Sequence, residues 1–95
     1  MITKVVFKKI SWFYNNNGNE NIVEINAIFP EHGSTDREGD MMYEGYAHIV
    51  QHCEFHEDFL TDGDVYKHKV ETTTEEEYRE LKTELESIGY ELEVI

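Results

Sequence analysis

The chain has 95 residues, 39% of them hydrophobic and 13% aromatic, with 8 basic against 21 acidic residues and a formal net charge of −13. That is the size of one domain, residues 1–95, with a modest core, and it is too apolar for a disordered chain. No apolar run is long enough for a transmembrane helix, and so acidic a surface repels nucleic acid and anionic membranes.

The charge is unevenly placed. Residues 1–30 carry Lys4, Lys8 and Lys9 against Glu20 and Glu24, so the acidic excess belongs to residues 31–95. Such a field attracts basic surfaces. The N-terminal stretch lacks the apolar run and small-residue cleavage site of a signal peptide. Cys53 is the single cysteine, so no internal disulfide forms. Together these features give the expectation of a reducing, cytoplasmic setting, which for a viral protein means the host cytoplasm.

Lys4–Tyr14 is rich in β-branched and aromatic residues and reads as a strand. Asn15–Glu20 is a turn rich in Asn and Gly, and Asn21–Phe29 is a second strand ended by Pro30. An antiparallel hairpin pairing Trp12 with Val23, Ile10 with Ile25 and Val6 with Phe29 gives one apolar face, with the Lys8 stem beside Ala27. The opposite face then carries Val5, Phe7 with Ile28, and Phe13 with Ile22.

Glu31–Asp40 reads as a solvent loop. Met41–Leu60 fits both helical and strand spacing. A long strand is preferred, because Thr61–Asp64 reads as a turn and Val65–Glu71 as an alternating strand that can pair back onto it. That pairing places Phe55 opposite Val70 and Asp58 opposite Lys67. Thr74 and Glu77 form a capping box ahead of an apolar stripe, Tyr78, Leu81, Leu85 and Ile88, and Gly89 ends that helix. Tyr90–Ile95 closes the chain as a strand. The expected fold is α+β, order ββββαβ: an antiparallel sheet of about five strands with one helix on one face. One helix covers one face, so Val5, Phe7, Phe13, Ile22 and Ile28 are expected on the uncovered one, as an interface with a partner or with a second copy of the chain.

The polar residues invite several chemistries. His48, His52 and His56 recur every four residues, with Cys53 among them. On a helix this spacing suits a zinc site, whereas along a strand neighbours in the series stand ~13 Å apart. A zinc-binding protein is therefore an alternative that requires residues 46–60 to be helical. Asp36, Glu38, Asp40 and Glu44 lack the glycine and bidentate glutamate of a calcium loop. Cys53 and the serines sit in no nucleophile motif, and no glycine-rich phosphate loop exists. The expectation is a non-enzymatic protein without a cofactor.

The remaining constellation is carboxylate. Glu91 and Glu93 stand ~6.8 Å apart on one strand face, and Glu54 and Asp58 at twice that. Glu76, Glu80 and Glu84 form a helical ladder in steps of ~6 Å. These steps approach the phosphate spacing of a nucleic-acid strand, so the array suits the Lys/Arg groove of a nucleic-acid-handling protein. The sequence therefore points to an inhibitor or decoy of a basic protein such as a nuclease. Trp12, Phe13 and Tyr14, with Phe7, Ile22 and Ile28, would supply its apolar anchor. In composition it looks like phage anti-defence proteins, including anti-CRISPR proteins, and like acidic nuclease immunity proteins, an analogy of class that rests on no family motif.

Overall fold

A computed structural model of the chain describes residues 1–13 and 21–95, the side chains of Phe13 and Asn21 excepted. The expected Asn15–Glu20 turn lies outside them. The elements are β1 (Ile2–Phe13), β2 (Asn21–Thr35), β3 (Met41–Ala47), β4 (Gln51–His56), a 3-10 turn (Glu57–Leu60), β5 (Gly63–Val65), β6 (His68–Thr72), α1 (Glu75–Ser87) and β7 (Glu91–Val94). The α+β class is as expected. The sheet is larger, seven strands in the order β4-β3-β2-β1-β6-β5 with β7 also on β1.

β1 organises the fold. Val6–Phe13 pair antiparallel with β2. Lys8–Trp12 also pair antiparallel with β6, and Ile2–Val5 pair parallel with β7. The parallel β7 corrects the expectation of a purely antiparallel sheet. The β1–β2 hairpin is also shifted by one residue from the expected register, with Phe7 opposite Ala27 and Trp12 opposite Ile22. A one-residue slip exchanges the faces of a strand. Val5, Phe7, Ile25, Ala27 and Phe29 therefore lie together under α1, while Ile10 and Ile28 lie on the other face.

Both faces are covered, which corrects the expected bare apolar face. Beneath α1, Leu81 and Leu85 pack on Val5, Phe7, Ala27, Phe29 and Tyr46, and the Phe7 and Tyr78 rings stack with centroids 4.4 Å apart. Thr74 and Glu77 complete the expected capping box, and Gly89 leaves the helix at φ +113°. Of the expected stripe, Ile88 is exposed. On the second face Ile10, Ile28, Phe55, Val65 and Val70 pack with Trp12, Phe59 and Leu60.

That second core forms because the sheet curls. β4 and β5 are opposite ends of the strand order, yet only Glu57–Asp62 joins them. Six flat strands would hold those ends about 24 Å apart. The link, four of its six residues a 3-10 turn, reaches about 18 Å. It can therefore span only a curled sheet, and its Phe59 and Leu60 fill the concave side.

Three further expectations are corrected. β2 runs on through Pro30 to Thr35, with a register irregularity between Ile28 and Gly33 that accommodates the proline. Residues 41–56 are a hairpin, neither helix nor one long strand; it turns through His48–Val50, with Gln51 at φ +61°. At the turn expected over Thr61–Asp64, Thr61 and Asp62 end the edge-to-edge link and Gly63 and Asp64 begin β5, which pairs with β6 through a tight turn at Tyr66, φ +54°. In the loop after β2, Asp36 Oδ1 accepts the Glu38 and Asp40 amides at 2.9 Å, so Asp36 holds a turn. No helix of the described residues is long and apolar enough to cross a membrane.

Candidate binding surface

The carboxylates expected to form one array are distributed over several surfaces. Glu76 and Glu80 are exposed on α1. Glu84, one turn further, is turned toward the β3–β4 turn, where His48 Nδ1 lies 2.6 Å from its Oε1. The Tyr46 phenol beside it and then His48 hold the Glu84 carboxyl below its ordinary range, while Glu84 raises the Tyr46 phenol. Glu84 Oε2 is itself buried without a well-aligned hydrogen bond, so Tyr46 acts on the carboxylate through proximity rather than an ideal bond.

Glu91 and Glu93 alternate with Leu92, which packs toward α1, so both point from the other sheet face. Glu54 and Asp58 do not continue one row, because the chain leaves β4 after His56 and enters the 3-10 turn. Asp58 lies against His56 Nδ1 at 3.2 Å.

Glu54 instead faces Glu44, a carboxylate that local spacing does not group with it. The two stand directly opposite each other across the β3–β4 ladder, both exposed on the face that carries α1. His32 Nδ1, 3.3 Å from Glu44 Oε2, is the neighbour that can carry positive charge there. Like charges directly opposite in a sheet are destabilising. The signal in the sequence is parity alone: Glu44 and Tyr46 share a strand face, and Tyr46 is apolar enough to fix which way that face points.

The apolar anchor is largely absent from the surface. Phe7 and Ile28 are core residues, at 4% and 0% exposure. Trp12 is half-buried, edge-on to His68 with centroids 5.1 Å apart, and its Nε1 is buried without a partner. Ile22 is exposed; the Phe13 side chain and Tyr14 lie outside the described residues. Val23 and Ile49 are among the apolar groups that face solvent beside the acidic helix.

The histidines do not converge. His48 engages Glu84, the His52 ring lies edge-on to Tyr46 with centroids 5.3 Å apart, and His56 sits between Asp58 and Asp40. The helix that the zinc alternative required at 46–60 is not formed. Among the described residues no group of three or more His, Cys, Asp or Glu side chains is placed to hold a metal ion. Cys53 is half-buried, and burial first and the Glu24 charge second push its thiol up, away from a reactive thiolate.

Several hollows border these groups, two of them beside the link and beside α1. One, about 690 Å³, lies around the link and β5, with Asp58, Asp62 and Asp64 in its wall. Asp62 is already engaged, accepting from Lys8 Nζ at 2.7 Å and from Thr72 Oγ1 at 2.6 Å. The other, about 500 Å³, lies between β2, the β3–β4 turn and α1, with Val23, Ile25, Ile49 and Leu81 as its apolar lining and Glu77, Glu80 and Glu84 along its helix wall.

No family model matches the chain, and neither a curated protein nor a solved structure is significantly similar to it.

Proposed function

We propose that the protein is a non-enzymatic acidic inhibitor or decoy, acting in the cytoplasm, that occupies a basic surface of a nucleic-acid-handling protein. A nuclease, a restriction or CRISPR effector or a nuclease toxin each presents such a surface. The observation that carries this reading is the Glu44–Glu54 pair. Two exposed carboxylates face each other across a ladder, in a chain of net charge −13. That placement works against stability, and a cationic partner relieves it. Exposed Glu76 and Glu80 on α1 extend the same sign of charge along that face of the sheet.

The test is retention of proteins from the source lysate on the immobilised chain, with elution by rising salt and by added duplex DNA. The expected result is a basic nucleic-acid-binding protein released by both, and weaker retention on E44K/E54K. Retention that is indifferent to salt and to DNA would overturn the reading.

A further inference from the structure

The groove between β2, the β3–β4 turn and α1 combines features that the exposed carboxylates lack elsewhere. Its lining is apolar and open: Ile49 is 77% exposed and Val23 54%, above Ile25 and the buried Leu81. Both are apolar side chains left facing solvent beside a wall of charge. Three glutamates run along that wall, at positions i, i+3 and i+7 of one helix.

Two of the three are already engaged. Glu77 accepts from Lys9 Nζ at 2.8 Å, and Glu84 lies 2.6 Å from His48 Nδ1. Glu80 stands between them, exposed, with no hydrogen bond or ion pair among the described residues. The groove therefore offers one apolar slot flanked by two carboxylates that lack a cation among the described residues, Glu80 on the helix wall and Glu24 on β2.

We propose that this groove is the docking site for a basic amphipathic segment of the partner protein, with an apolar side chain seated over Val23, Ile25, Ile49 and Leu81 and a neighbouring Lys or Arg on Glu80. Charge complementarity selects this occupant. A second copy of the chain would bring more carboxylate to the same wall and be repelled. The proposal rests on the acidic-binding reading and adds the apolar half of the recognition, replacing the anchor expected at Phe7 and Ile28.

The experiment is amide NMR titration of the full chain with two probes, oligolysine and a lysine-rich peptide of equal charge that carries leucines. The leucine-bearing peptide is expected to bind about tenfold more tightly, the worth of burying most of one aliphatic side chain. Its shifts should centre on Val23, Ile49 and residues 77–84. V23S/I49S, which changes exposed positions and no charge, should remove that tenfold advantage and leave oligolysine binding unchanged. E80Q should weaken the leucine-bearing peptide as well.

Equal affinity of the two probes, or shifts centred outside the groove, would overturn the groove proposal while leaving the acidic-binding reading standing. Oligolysine that perturbs no carboxylate-bearing segment would instead overturn the acidic-binding reading. A leucine-bearing peptide that still localises to the groove would then support the groove as an apolar site.

Discussion

Lys8 and Asp62, 54 positions apart in the chain, meet in a 2.7 Å hydrogen-bonded ion pair. Lys8 comes from the middle of β1 and is 8% exposed, whereas Asp62 lies in the link between β4 and β5 and is half-exposed. The pair thus ties that link to the central strand. Removing Asp62 leaves a buried ammonium without its counter-ion. Breaking a fully buried pair costs about 3–5 kcal/mol; water reaching the Asp62 side lowers the expectation for Asp62→Ala to about 1–2 kcal/mol. Lys8→Met keeps the stem and removes the charge, and is expected to be close to neutral. Urea denaturation of both variants checks the asymmetry.

Acid should loosen the fold through three carboxylates. Asp62 is held low first by Lys8, Glu77 first by Lys9, and Glu84 first by Tyr46. A carboxyl whose folded pKa is depressed contributes stability that is complete above the unfolded value, about 4, and disappears as pH falls through the folded value. Stability should therefore decline below about pH 4, and D62N should flatten that decline. The alkaline limb has the opposite sign. Tyr46 and Lys9 are both raised, by Glu84 and Glu77 respectively, so their contribution is full below about pH 10 and lost above it. Ultraviolet titration should show a late-ionising tyrosine that is missing in Tyr46→Phe.

Phe7→Glu distinguishes a core position from a surface one. Had Phe7 lain on a bare sheet face, the charge would have dissociated a dimer and left a folded monomer. It lies beneath α1 at 4% exposure, stacked on Tyr78. The expected outcome is loss of the folded state, because an unpaired carboxylate would sit among Val5, Leu81 and Leu85. Circular dichroism and size-exclusion chromatography together decide between these outcomes.

Gly45 is required for close approach. A Cβ there would stand 2.7 Å from the Ala27 carbonyl oxygen and would also collide with the Phe55 ring, which lies over the glycine. Neither neighbour can swing away: one is backbone and the other is 8% exposed in the second core. Gly45→Ala should destabilise by about 1–3 kcal/mol, as overpacking does. Thermal unfolding measures it, and an unchanged midpoint would mean that β2 and β3 can separate locally.

What the sequence made legible was local. The capping box at Thr74 and Glu77, the Tyr78, Leu81 and Leu85 part of the helix stripe and Gly89 all act within a turn or two of chain, and each is found where the residues imply. The hairpin register was not legible, because apolar residues occupy both parities of β1 and β2, so either register buries something. The β3–β4 and β5–β6 turns escape sequence reading for a different reason. They turn at Gln51 and Tyr66 with positive φ, residues that carry no turn signal. Meanwhile Asp62-Gly63, a strong hairpin signal, marks only the junction of the edge-to-edge link with β5. Of the binding surface, exposed Glu76 and Glu80 could be read from helical spacing. The Glu84–His48 and Glu44–Glu54 relationships depend on strand pairing that no local pattern encodes.

The short link from β4 to β5 also sets how the protein opens. A sheet whose two ends are tethered cannot unroll gradually from either one. Releasing β5 drags Phe59 and Leu60 out of the concave side, and that exposes Phe55 on β4 at the far end of the strand order. The two margins of the sheet thus behave as one cooperative unit, although four strands lie between them. In hydrogen exchange, amides at these two borders should lose protection together, and a ligand that clamps one border should slow exchange at the other.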